Sequence, residues 1–191
     1  MPVQIGASSP SFADPTRLLS DCHRRIEMFL QALYAVAERA DHPLTEEARG
    51  SLETALRYFR EAAPKHTADE EESLFPRLRR LEDAEVRFAL TRLEALEADH
   101  RDVVPLHMAV DKLGMQYLET GCLTLSEIEK FRAAIASLMT TYSQHIVVED
   151  NVVFPLAVKL LSEPDKNAVG KEMAARRNIR PIHVELLGKS K

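Results

Sequence analysis

The sequence predicts an all-α protein: an up-down-up-down four-helix bundle with a short C-terminal helix. Three observations lead there. Glycine is scarce, six in 191 residues, and the abundant Ala, Leu, Glu and Arg favour helix. Apolar residues recur at alternating steps of three and four through four long segments separated by short turn signals. A sparse pattern is also written twice: His66 to Pro76 reads HTADEEESLFP, and His145 to Pro155 reads HIVVEDNVVFP. Each copy has His, Glu four residues on, an acid next, and then Phe-Pro. No alternating strand pattern competes.

The first helix is expected from about Thr16 to Ala40, ending at the turn Asp41-His42-Pro43. Its inward stripe is Leu19, His23, Ile26, Leu30, Leu33 and Ala37. The second runs from about Thr45 to Leu81, with Leu52, Leu56, Phe59, Ala63, His66 and Glu70 facing in. The third starts near Asp83 and ends at Glu119-Thr120-Gly121; its stripe is Leu93, Leu96, His100, Val103, His107 and Val110. The fourth follows Thr124, an N-cap with Glu127 three residues on, and ends near Ser162. It turns Ile128, Phe131, Ile135, Leu138, Tyr142, His145, Glu149, Val152 and Leu156 inward. A short helix is expected from Pro164 to Arg177, then a tail extended over the surface. The expected organisation is a flexible arm (1–14), the bundle (15–162), and the C-terminal helix with its tail (163–191).

The totals exclude several function classes. With 25 basic and 30 acidic residues, nucleic acid is not expected as a partner. Arg79-Arg80 and Arg176-Arg177 read as solvated helix ends. No stretch approaches the roughly 20 apolar residues of a membrane span, and the first residues lack the basic start and apolar run of a secretory leader. Two cysteines, Cys22 and Cys122, are too few for a disulfide framework. The expected location is a reducing cytoplasm, with Cys22 a buried bystander beside His23.

Chemistry enters through polar residues on the inward stripes. Each bundle helix carries one histidine there: His23, His66, His100 and His145. The second and fourth add Glu70 and Glu149 one turn later, on the same face. Counted from the connecting loops, the four histidines fall at one depth, to within a few Å at 1.5 Å per residue. Burying unpaired charge costs several kcal/mol, and a cation among the carboxylates reverses that cost. The chain thus reads as two similar hairpins, each with His on one helix and His-x-x-x-Glu on the other. Six ligands exceed one tetrahedral zinc and suit two metals sharing carboxylates. Histidine and carboxylate without thiolate favour iron or manganese, with zinc possible. Pro76 and Pro155, one and a half turns after the glutamates, either bend their helices around the site or end them.

The set His23, His66…Glu70, His100, His145…Glu149 resembles the ligand pattern of the hemerythrin-like family, the HHE cation-binding domains. HTADEEESLFP is similar to that family's second-helix signature, and Val169 to Arg177 resembles a short helix that follows the bundle in bacterial members. The resemblance covers about residues 16–160. It implies two iron ions (Fe2+/Fe3+) bridged by two carboxylates and an oxo or hydroxo group, and a small ligand: O2, NO or peroxide. The fifth histidine of oxygen carriers, one turn after the third-helix histidine, is replaced by Val104. The chain therefore resembles the four-His, two-Glu subset, which includes iron-centre repair proteins; the cysteine-bearing N-terminal region of those proteins has no match here. The expected function is binding or sensing of O2, NO or peroxide at the iron pair. The alternatives are iron-centre repair, NO or peroxide reduction, or a bundle whose metal is purely structural.

Around the six ligands, three residues are candidates for a supporting role. Tyr142, one turn before His145, is either core or a hydroxyl beside a bound oxygen species. Glu71, with Asp150 as its counterpart in the repeat, lies on an acidic edge shared with Glu72. His107 is two turns from His100, about 10 Å along the axis, and so is a core or supporting residue. His42 and His183 are expected to be inert. Glu97 and His100 make one Glu-x-x-His; a ferritin-like site needs two. No protein partner is specified.

Overall fold

The computed structural model describes residues 12–179 (for residues 88 and 90, the backbone only). The expected arm before residue 12 and the tail carrying His183 lie outside them. The described residues are all-α: α1 (Pro15–Glu38), α2 (Glu46–Glu61), α3 (Ala63–Ala68), α4 (Phe75–Arg79), α5 (Ala84–Thr120), α6 (Leu125–Val148), α7 (Phe154–Leu160) and α8 (Glu163–Arg176). A π turn, Asp69–Leu74, joins α3 to α4, and a second, Glu149–Val153, joins α6 to α7. The segment α2–α3–α4 is the second bundle helix, and α6–α7 the fourth. None of these helices is long and apolar enough to cross a membrane.

Local chemistry sets the helix starts. Asp14, Thr45, Asp83, Thr124 and Ser162 each accept a backbone N–H of the first turn through the side chain. Thr124 and Glu127 form the full capping box read from the sequence. Gly121 ends α5 at φ 73°, a left-handed conformation that glycine adopts without strain. Pro64 opens α3 and breaks the backbone ladder after α2. Pro105, by contrast, sits inside an uninterrupted α5.

The bundle closes as a ring: α1 packs on α2 and α6, and α5 packs on the same two helices. One apolar cluster fills the end near the α1–α2 and α5–α6 connections, around Leu33, Leu52, Tyr117, Phe131, Ile135 and Leu138. A second, around Leu19, Leu74, Phe75, Leu96, Phe154 and Met173, fills the opposite end. α8 lies across this second end, close enough that a Cβ on Gly170 would stand 1.9 Å from the Phe12 carbonyl oxygen. The buried polar residues sit between the two clusters.

Both prolines resolve in one way: neither ends its helix. Pro76 and Pro155 lie in the first turns of α4 and α7, and each is preceded by a π turn. The N–H of Phe75 bonds to the carbonyl of Glu70, and that of Phe154 to Glu149, five residues back rather than four. The extra residue moves the inward stripe on by one position. Val153, not the expected Val152, is therefore fully buried.

Candidate metal centre

The six residues expected to act together converge. His23 comes from α1, His66 from α3, Glu70 from the first π turn, His100 from α5, His145 from α6 and Glu149 from the second π turn. All are buried, and Glu70 and Glu149 are completely so. The rings of His23 and His66 have centroids 4.9 Å apart, and those of His100 and His145 4.5 Å apart. Two groups of donor atoms form, each within 4.8 Å: His23, His66, Glu70 and Glu149; and His100, His145, Glu70 and Glu149. Both glutamates belong to both groups.

The carboxylates face both ways. Glu70 Oε1 lies 3.2 Å from His66 Nε2 and 3.7 Å from His23 Nε2, while its Oε2 lies 3.5 Å from His100 Nε2. Glu149 Oε2 lies 3.1 Å from His23 Nε2 and 3.2 Å from His145 Nε2. Nevertheless, among the described residues, all four glutamate oxygens, together with Nε2 of His23 and of His145, have no hydrogen-bond partner. Buried polar atoms are normally paired, because stripping their water without replacement costs free energy. Six such atoms, acidic and imidazole, turned toward common points are what a pair of cations would satisfy, so the donor set fits metal.

The electrostatics agree. Burial, with the neighbouring Glu149 charge, pushes the Glu70 carboxyl up to about 8. Burial also opposes the charged form of Glu149, but the imidazoles of His145 and His23 outweigh it and hold that carboxyl well below the usual range. Burial drives His66 well below the ordinary histidine value, leaving a neutral ring suited to ligation.

A ring of carboxylates stands behind three of the histidines. Asp150 Oδ1 is 3.0 Å from His23 Nδ1, Glu71 Oε1 is 2.8 Å from His100 Nδ1, and Asp99 Oδ2 is 3.3 Å from His145 Nδ1. Such contacts orient the ring and raise its basicity toward a metal. Glu71 thus does not stand with Glu72 on a solvated edge: the widened π turn swings it onto His100, while Glu72 stays exposed. Asp150 does the same from the second π turn to His23, and also accepts Ser20 Oγ at 2.8 Å and Arg24 Nη2 at 2.9 Å. Replacing Asp150 by alanine is expected to weaken metal binding about 10- to 100-fold, measurable by competition with a chelator. An unchanged affinity would mean that Asp150 only anchors Arg24.

His66 is the exception: its Nδ1 has no partner among the described residues. Asp99 precedes His100, and the matching residue before His23 in the first hairpin is Cys22, which is buried with its thiol pushed up by burial. Sequence reasoning missed Asp99, although its place beside His100 and opposite Cys22 in the repeat was a usable signal. His107 lies outside both donor groups; its Nε2 is 3.0 Å from the Tyr142 hydroxyl, and burial lowers it to about 4. The Tyr142 ring stands 6.3 Å from that of His145. Glu97 pairs with Arg79 at 2.7 Å. Val104, the position of a carrier's fifth histidine, is 53% exposed, and Val103 turns inward instead. Arg176 and Arg177 are not solvated helix ends: both bind the fully buried Asp69, at 2.9 and 2.6 Å.

The hemerythrin HHE cation binding domain matches residues 14–157. The chain belongs to the hemerythrin HHE family. The match spans all four bundle helices and all six convergent residues, and stops before α8. An uncharacterized protein of Haemophilus influenzae is 28% identical over 168 residues, covering 87% of this chain and 92% of that relative.

Proposed function

We propose that this hemerythrin-family chain holds two iron ions. His23 and His66 would serve one and His100 and His145 the other, with Glu70 and Glu149 shared, and the pair would bind or sense O2, NO or peroxide. The observation that carries the reading is the fully buried glutamate pair, common to both donor groups, whose four oxygens have no hydrogen-bond partner among the described residues. Histidine and carboxylate donors without thiolate suit iron, with manganese or zinc as the competing metals. Two imidazoles per metal and two shared carboxylates would leave coordination positions open, and an iron pair supplies redox-active binding of a small ligand there. The residues of this chain would bury the pair, orient three of the imidazoles through Asp150, Glu71 and Asp99, and hold the Tyr142 ring 6.3 Å from that of His145, its hydroxyl on His107.

The test is elemental analysis of protein expressed with added iron, beside a His145→Ala, Glu149→Ala variant. About two irons per chain, lost in the variant, with visible charge-transfer bands in the oxidised protein, is the expected result. A fully loaded, oxidised, colourless protein would sink the small-ligand reading. Turnover of NO or peroxide with an added reductant would instead place the chain among reductases.

A further inference from the structure

The two π turns carry the two shared glutamates, but they are held by different parts of the chain. The second is tied into the bundle itself, through Asp150 to Ser20, His23 and Arg24 on α1. The first touches the bundle through Glu71 and His100 of α5, and is in addition tied to α8, which lies beyond the residues matched by the family domain. Arg176 Nη1 donates to Asp69 Oδ1 and to Ser73 Oγ, both at 2.9 Å, and its Nη2 to Glu72 Oε2 at 3.0 Å. Arg177 Nη2 reaches the other oxygen of Asp69 at 2.6 Å. From α4, just after the turn, Arg77 donates to the Ser73 carbonyl at 2.7 Å and grips Glu172 of α8 with two bonds, at 3.0 and 2.7 Å. Asp69, Glu72 and Ser73 belong to the same π turn as Glu70, and Asp69 is its immediate neighbour. The residue matching Asp69 in the second copy of the motif is Val148, so this attachment has no counterpart there.

We infer that α8 is a clamp on one half of the metal centre, and that Asp69, Arg176 and Arg177 are positioning residues for Glu70 and His66. The inference rests on the two-metal reading above and adds an asymmetry to it. His66 lies three residues before Asp69 and, of the four convergent histidines, is the one whose Nδ1 has no partner among the described residues. Its ring is therefore aimed by its backbone, and that backbone runs directly into the turn that α8 holds. The His23/His66 group would lose two well-placed donors, His66 and Glu70, if the turn slackened. The His100/His145 group would lose Glu70 and the Glu71 contact to His100, but both its histidines have their backbones on α5 and α6, outside the turn, and Asp99 still orients His145. Arg176 spans Asp69, Ser73 and Glu72 with its two Nη groups while Arg177 takes the other Asp69 oxygen, a forked geometry that lysine does not reproduce.

The test is anaerobic titration of metal-free protein with Fe2+, following stoichiometry and affinity by calorimetry and folding by circular dichroism. Asp69→Asn removes both ion pairs while keeping the size and shape of the buried side chain. Wild type is expected to take about two Fe2+ per chain, and folded Asp69→Asn about one tightly, with the second weakened at least tenfold. A role confined to holding the fold together would lower the melting temperature and leave the stoichiometry at two; that result overturns the inference and leaves the two-metal reading standing. Wild type taking fewer than two Fe2+ overturns both. Should Asp69→Asn not fold, Arg176→Lys, Arg177→Lys keeps both charges without the forked geometry, and the same loss of the second Fe2+ decides.

Discussion

Chelating the metal from the loaded protein is expected to lower its melting temperature by about 10 °C or more. Glu70 and Glu149 are completely buried, and among the described residues none of their oxygens has a hydrogen-bond partner. An uncompensated buried carboxylate costs several kcal/mol. A metal present at about a thousand times its dissociation constant restores about 4 kcal/mol, and each kcal/mol moves the midpoint of a chain this long by about 2–4 °C. Glu70→Gln should separate the two contributions by sign. On the proposed two-metal reading it removes a shared ligand, so added iron should no longer raise the melting temperature. It also removes a buried carboxylate that burial already pushes toward its protonated form, so the metal-free variant should melt above the metal-free wild type. Calorimetry with and without chelator checks both. Identical melting of loaded and stripped wild type would show that the metal is not integral to the fold.

The second large effect belongs to the bundle alone. Phe131→Ala empties a fully buried position in the cluster at the far end of α6. Phe-to-Ala substitutions in packed cores cost about 3–5 kcal/mol, or about 10–15 °C here. Phe131 stands about 21 Å along the helix axis from His145 at 1.5 Å per residue, and distant sites contribute additively. The loss should therefore be the same in stripped and loaded protein, with iron per chain unchanged. The two melting curves and the iron content decide this together. A drop in iron content with the fold intact would mean that core and site are mechanically coupled along α6.

The convergence of the six residues was legible because it depends on local periodicity. A histidine on an apolar stripe, and a glutamate four residues later, face inward whatever the rest of the chain does, and loop positions alone set their common depth. The short C-terminal helix was legible too, through Pro164 and the helix-forming run after it. The π turns were not. Whether the N–H of Phe75 bonds four or five residues back depends on what must be packed around it, and no local propensity distinguishes the two. Yet that choice turned Val153 inward in place of Val152, and it brought Glu71 and Asp150 onto histidines of neighbouring helices.

The sequence by itself determined the fold class, the pairing of hairpins and the inward histidines and glutamates, because helical geometry is a property of neighbours three and four apart. Only the tertiary structure decided which acids support which imidazoles, and that Arg176 and Arg177 reach back to Asp69. Those contacts join residues about a hundred positions apart. An arginine at a helix end reads alike in sequence whether water or a buried carboxylate awaits it. What distinguishes the two is where α8 lands, and the packing of Met173 and Val169 against the far-end core holds it there.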